Sequence, residues 1–324
     1  MEQSQTGIPL QWRFLGNPPK KVRDFLRETK LTTIRYIDGT TRQYYIDSPI
    51  TYAQVGTLGW NTMSSVTIGT MVPAIGLDEA GSEQAFAGCT KLEEVIFRGE
   101  CSSIEHEAFS NVPTLKSVVF LTNDVKKIGY SAFSVGSGIA SQLSSFDFNH
   151  GLEQIGKQAF WNTALREVYI NNQSLQSLSE RAFQNTASLS SVQILTDISY
   201  LGPQIFLDSS VRQADIRGLT HMSEGMFKGC SQLSTIRFSD EIQNILSDTF
   251  YGCTSITSMP LINTVQSIGS QAFLGSGLRE VYISNPNLLS VGDSAFQNCN
   301  NLTAVRISTD IQHIGTNLFN GSAV

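Results

Sequence analysis

The chain has 324 residues, 40% hydrophobic and only 15% charged, with abundant Ser, Asn, Thr and Gly; this excludes a disordered chain and describes a surface that is uncharged-polar rather than salt-bridged. The net charge of −6 is unevenly placed: residues 1–70 carry 8 Lys+Arg against 5 Asp+Glu, and residues 71–324 carry 14 against 23, so the larger part is acidic and argues against nucleic acid as a partner. No stretch approaches the roughly 18 apolar residues of a membrane helix.

The opening residues, MEQSQTGIPL, have neither a basic n-region nor an apolar h-region, which fits a cytoplasmic protein and equally a secreted one whose signal has been removed. Residues 17–30, NPPKKVRDFLRETK, read as a short helix entered through prolines. Their basic cluster Lys20, Lys21, Arg23, Arg27, Lys30 reads as a solvated helix face, with contact to an anionic surface as the alternative. Residues 34–46 read as a hairpin turned on Asp38-Gly39, and SVTI (65–68) as a first rung. Residues 1–71 are therefore expected to form an N-terminal cap, and residues 72–324 a repeat array.

The array is set by phenylalanine. Phe86, Phe109, Phe133, Phe160, Phe183, Phe206, Phe227, Phe250, Phe273, Phe296 and Phe319 follow one another in steps of 23, 24, 27, 23, 23, 21, 23, 23, 23 and 23 residues. A period near 23 lies in the leucine-rich-repeat range and below that of paired-helix repeats. Five residues before the Phe stands an aliphatic residue or Met in ten of the eleven repeats, from Ile104 to Ile314. The first repeat differs, because LDEAGS (77–82) is inserted after VPAIG (72–76), predicting a bulging loop.

After the Phe comes a second block, for example Leu92-x-x-Val95-x-Phe97 and Leu302-x-x-Val305-x-Ile307. Its alternation is that of a strand with one buried face. One strand per repeat predicts a long parallel sheet; the interval from the Ile-Gly pair through Ala-Phe is read as a turn plus one helical or 3₁₀ turn on the opposite side. The expected fold is thus an α/β solenoid, a leucine-rich-repeat right-handed superhelix with its parallel sheet concave and short helical pieces convex. A displacement of 113 residues relates WNTALREVYI (161–170) to LGSGLREVYI (274–283), the trace of a five-repeat block duplication.

Catalytic chemistry finds no foothold. Cys89, Cys230, Cys253 and Cys299 all lie three residues after a repeat Phe, where other coils carry Val, Gly, Thr or Ser, so the column reads as a demand for a small side chain. No C-x-x-C pair suggests a metal; Cys230 and Cys253 belong to adjacent coils, which leaves a disulfide as the alternative. His106, His150, His221 and His313 share no repeat position, and neither a phosphate-binding glycine loop nor a hydrolase motif is present. No cofactor, no metal site and no enzyme activity are expected. Asn172-Gln-Ser, Asn301-Leu-Thr and Asn320-Gly-Ser match the glycosylation triplet by composition alone. Glycine follows the aliphatic residue in six repeats, which reads as at most a preference for a left-handed backbone. The chain stops at NGSAV, where another strand is due, so trimming, fraying or an end-to-end contact between copies are all compatible with this end.

The unit I-G-x-x-A-F-x-x-C-x-x-L-x-x-V-x-I, as in IGSQAFLGSGLREVYI (268–283) and MSEGMFKGCSQLSTIRF (222–238), resembles the BspA-like (Treponema-type) leucine-rich repeat family over about residues 72–324. Members of that family are typically surface or secreted proteins of gut and oral bacteria and of some mucosal protists, linked to adhesion to host matrix proteins or other cells. The resemblance implies a bacterial binding protein at the cell surface or secreted.

A ligand is expected on the concave face, where the central residue of each apolar-x-apolar strand points away from the core. In order these are Tyr169, Gln193, Asp215, Arg237, Pro260, Tyr282 and Arg306, flanked by Glu167 and Glu280. Tyr and Arg are common interface anchors. The expected partner is a protein or glycan of host matrix or of another cell. A plainer reading is a solvated sheet in which Asp215 and Arg237 pair across coils, and the alternative function is a structural or assembly scaffold.

Overall fold

In the computed structural model, residues 30–76, 84–148, 151–258, 264–307 and 310–324 are described. Most of the expected helix 17–30, the loop at 77–82, His150 and Pro260 lie outside them. The hairpin is present: β1 (Leu31–Tyr36) and β2 (Thr41–Tyr45) pair antiparallel. Asp38 Oδ1 accepts from the Thr40 amide at 2.9 Å, and Gly39 takes a φ of 84°, which suits a glycine in a tight turn. Helix α1 (Tyr52–Leu58) starts on a capping box, the Thr51 side chain and Gln54 each holding the other's backbone N–H. Strand β3 (Met63–Ile68) is the first rung; β1 covers one of its edges antiparallel, and the other begins the parallel ladder.

The long strands continue as β4 (Glu94–Phe97), β5 (Ser117–Phe120), β6 (Glu167–Ile170), β7 (Ser191–Ile194), β8 (Gln213–Ile216), β9 (Thr235–Phe238), β10 (Glu280–Ile283) and β11 (Ala304–Ile307). Among the described residues they form three parallel runs, β3-β4-β5, β6-β7-β8-β9 and β10-β11, where one long sheet is expected; the rung due between β9 and β10 falls at 259–263, outside the described residues. The first break falls where the Phe spacing widens to 27 residues; there the Arg166 amide still donates to the Ser144 carbonyl at 3.1 Å.

The reading of the opposite side needs correction. Among the described residues the helical segments of more than one residue are α1 and the 3₁₀ turn Trp60–Thr62; the Ile-Gly interval is instead a second parallel ladder of two-residue strands, such as Ser103–Ile104, Lys127–Ile128 and Gln154–Ile155. The chain is a β-solenoid of parallel turns with little helix. The physical reason is that amides here bond between coils: Gly129, Gly156 and Gly202 donate to the carbonyls of Ile104, Ile128 and Leu178 at 2.7–2.8 Å. A helical turn would keep those bonds within one coil.

A third row of bonds closes each coil at the Phe. The Phe amide donates to the carbonyl of the residue before the next coil's Phe, as in Phe109 to Ala132 and Phe250 to Ala272 at 2.7–2.8 Å. Left-handed residues bracket many of these phenylalanines two places on either side, for example Gln158 and Asn162 around Phe160 at φ 56° and 58°. They turn the chain so that alternate amides all face the following coil. All eleven rings stack in one unbroken row, neighbours 5.1–5.9 Å apart and within 15° of parallel. Burial, backbone pairing and stacking therefore coincide on the same residues, and each coil is completed only by its neighbours.

One further column acquires a cause. In several coils the position three after Phe donates a hydrogen bond: Cys230, Cys253 and Cys299 give their thiols to the carbonyls of Phe206, Phe227 and Phe273 at 3.1–3.3 Å, while Ser209 and Ser322 give hydroxyls to Phe183 and Phe296 at 2.8 Å. The site thus takes a small side chain, and where that side chain is Cys or Ser it can donate as well. All five cysteines are free and buried, so Cys230 and Cys253 are not joined. Burial pushes the thiols of Cys89, Cys101 and Cys230 up to about 12. Because the thiolate is the reactive form, a thiol-labelling reagent at pH 8 is expected to modify none of the five in the native protein and all five after denaturation; fast native labelling would contradict the buried column.

Asn172, in one of the glycosylation triplets, is buried and gives its amide to the carbonyls of Phe148 and Leu152 at 3.3 and 2.7 Å. Asn285, its counterpart 113 residues on, is buried likewise and bonds to the Val265 carbonyl. The block duplication thus extends to an internal polar bond, and Asn172 is structural.

Candidate functional site

The solvent-facing side of the long ladder is built by strand alternation. Val168, Val192 and Ala214 point into the core, which leaves the residues on either side of them outward. Parallel register then aligns Tyr169 with Gln193, Gln193 with Asp215, and Asp215 with Arg237. Glu167 sits beside Ser191 in the neighbouring row. The same logic places Glu280 and Tyr282 on β10 beside Ala304 and Arg306 on β11. Among the described residues the candidates thus fall into two patches, one on β6–β9 and one on β10–β11, with Pro260 outside the description.

The β6–β9 patch holds an open groove of about 350 Å³ over β7, β8 and β9, lined by Gln193, Gln213, Asp215, Arg217, Thr235 and Arg237 among others. Arg217 had not been expected, because it lies beyond the apolar-x-apolar triplet; period two nevertheless returns it to the same side as Asp215. It holds that carboxylate through two bonds of 2.8 Å, in the fork geometry that guanidinium groups favour. The expected Asp215–Arg237 pairing is therefore replaced by a pair within one coil, since Arg217 is tethered two residues away. The bond to Arg217 is the main reason that the Asp215 carboxyl is held below its ordinary value, with Arg237 lowering it further. Asp215 thus stays charged through neutral and mildly acidic pH. Arg237, exposed and in register with Asp215, lines the same groove.

At the margins of this patch, Gln193 Nε2 donates to Glu167 Oε1 at 3.5 Å and the Tyr169 side chain is 40% exposed. In the second patch Arg306 lies over the Tyr282 ring at 5.9 Å, a cation–π contact. A hydrogen bond to Glu280 is the largest reason that the Tyr282 hydroxyl is pushed above its ordinary value. Both patches therefore present an aromatic ring, a guanidinium and a carboxylate on one face, groups able to dock a polar partner. Among the described residues no three His, Cys, Asp or Glu side chains gather as a metal site would require, and no helix is long and apolar enough to cross a membrane.

The model of the BspA type leucine rich repeat region matches residues 61–173, 125–234 and 220–324. No curated protein matches the chain. Among solved structures, similarity is found to a leucine-rich repeat protein from Eubacterium ventriosum, 16% identical, TM-score 0.43, covering 90% of this chain and 93% of that one. The pneumococcal vaccine antigen PcpA is 15% identical with a TM-score of 0.42, over 78% of this chain and 74% of that one. A leucine rich cell surface protein from Faecalibacterium prausnitzii is 17% identical with a TM-score of 0.34, over 86% and 93%.

Proposed function

Taking as premise that the chain belongs to the BspA-type leucine-rich repeat family, we propose that it is a non-enzymatic binding protein, at the cell surface or secreted, that engages a protein or glycan partner through the exposed face of its long strands. The observation that carries this reading is the groove over β7–β9, where Gln193, Asp215 and Arg237 align in register and Arg217 holds the Asp215 carboxylate. None of these side chains is needed to bury the core, yet together they form a polar, open concavity with a fixed carboxylate and an outward guanidinium. Tyr169, Arg237, Tyr282 and Arg306 supply the anchors, and Glu167, Gln193, Asp215 and Glu280 the polar surround. Within residues 1–71 the β1–β2 hairpin lies along the β3 edge, as a cap of the array would.

The test is a pull-down and cell-binding assay against matrix proteins, mucin glycans and bacterial cells, run with the wild-type chain and a Y169A/R237A/Y282A/R306A variant. Binding by the wild type and its loss in a folded variant supports the reading; wild-type binding retained by the variant places the site elsewhere. A second reading, assembly of copies into a structural scaffold, is favoured by exposed aliphatic side chains on the strands, such as Ile307 and Ile314 at 39% and 58%. Concentration-dependent growth in light scattering would support it, and a monomer at every concentration would reject it.

A further inference from the structure

The leading margin of the same strands carries a second groove, of about 310 Å³, whose lining includes Arg166, Ser188, Ser190, Ser210, Arg212 and Gln232. Arg166 and Arg212 occupy the position just before β6 and β8, and Ser190 holds that position on the coil between them. Backbone bonds fix the three in register: the Ser190 amide donates to the Arg166 carbonyl at 2.9 Å, and the Arg212 amide to the Ser190 carbonyl at 3.0 Å. Two arginines therefore stand two strand spacings apart, roughly 10 Å, on either side of one concavity.

Neither arginine makes an ion pair among the described residues. Arg212 Nε donates to Gln232 Oε1 at 3.0 Å, and no carboxylate lines the groove. In an array with 23 acidic residues against 14 basic ones, an acid-free groove with two guanidinium groups is a local reversal of charge. Ser190 Oγ donates to the Arg166 carbonyl at 3.2 Å and keeps its lone pairs for a donor from outside.

We propose that this groove binds an acidic polysaccharide, with a sulfate or carboxylate held between Arg166 and Arg212 and sugar hydroxyls bonded to the serine hydroxyls. Guanidinium forks match such planar or tetrahedral anions. The lining favours a polysaccharide over an acidic peptide: its apolar component is Ala187, so there is no pocket for a large side-chain anchor, while hydroxyl and amide groups suit a sugar. The proposal narrows the partner class of the face reading and adds a site at its margin.

Titration calorimetry of the full chain with a heparin octasaccharide in low salt tests it. Saturable binding is expected, weakened at least ten-fold in R166Q/R212Q with an unchanged melting temperature. R279Q, in the same column but without a second arginine two coils away, is expected to bind like the wild type. No binding by the folded wild type, undiminished binding by R166Q/R212Q, or equal affinity for poly-glutamate would each overturn the proposal. The four-residue face variant keeps Arg166 and Arg212 and is expected to retain the octasaccharide. Failure of the strand-face reading and failure of this one are thereby read separately.

Discussion

Replacing Phe250 by Ala is expected to destabilise the protein by about 3–5 kcal/mol, whereas Phe319→Ala costs far less. Phe250 is fully buried and stacks on Phe227 at 5.9 Å and Phe273 at 5.2 Å, with Phe238 against its edge. Its removal leaves a cavity between two coils whose backbones are already hydrogen-bonded to each other, so the site cannot collapse. Phe319 is only partly buried and stacks on Phe296 alone at 5.6 Å. In a one-dimensional array the internal lesion also weakens coupling between the two halves, while the terminal lesion frays one coil. Urea unfolding followed by far-UV circular dichroism measures both. A large loss of midpoint for Phe250→Ala, with or without a second transition, agrees with the shared stack; equal shifts for the two variants would contradict it.

Gly202→Ala is expected to cost about 3 kcal/mol, at the upper end of what overpacking causes. The reason is proximity. A Cβ on Gly202 would lie 2.2 Å from the Glu180 amide nitrogen and 2.6 Å from the Ser179 carbonyl carbon, backbone atoms that cannot rotate away. Gly269, Gly292 and Gly315 meet the preceding coil in the same manner at 2.3–2.4 Å. Gly275→Ala is the matched control, because Gly275 has a φ of +67° and nothing within 4 Å of its would-be Cβ. That change costs roughly 1 kcal/mol through backbone conformation alone. Thermal melting that ranks Gly275→Ala as the more damaging change would show that conformation, not coil contact, selects glycine in the Ile-Gly pair.

These two variants mark what the sequence disclosed and what it concealed. The phenylalanine period and the apolar alternation after it gave the coil and the long strands, because buried side chains leave a periodic trace. Asp38-Gly39 likewise disclosed the hairpin. The short ladder was concealed: a two-residue strand has no alternation to read, so the interval through Ser103–Ile104 or Gln154–Ile155 resembled a helical turn. The glycines after the aliphatic residue held the missing clue, but their purpose is close approach rather than the left-handed backbone considered for them. True left-handed positions lie two residues from the Phe. After it, Asn162, Asn185, Gly229 and Asn298 signal the conformation; before it, Gln158, Arg181 and Gln271 adopt it with no such signal.

The candidate face was readable in the same uneven way. Alternation gave Tyr169, Gln193, Asp215 and Arg237 their direction, and the parallel register aligned them. Arg217 was missed because it follows the buried triplet, although it decides where the Asp215 charge goes. Arg166 and Arg212 were missed because they precede it, where no periodicity marks a surface. Column logic finds core residues easily, since their chemistry repeats from coil to coil. A binding groove depends on side chains that differ between coils, and only three-dimensional register brings those differences together.

Binding on the strand face, as proposed, is separable from the fold, which resides in the stacked core. Its most direct test compares two folded variants in one adhesion assay: Y169A/R237A/Y282A/R306A on the face, and K157A/E180A/K228A/D248A at the Phe turns, where Lys157–Glu180 and Lys228–Asp248 pair at 2.9 and 2.8 Å. The face variant is expected to lose adhesion with little change in melting temperature, and the turn variant to keep it. Adhesion lost from the turn variant and kept by the face variant would move the binding site to the Phe turns.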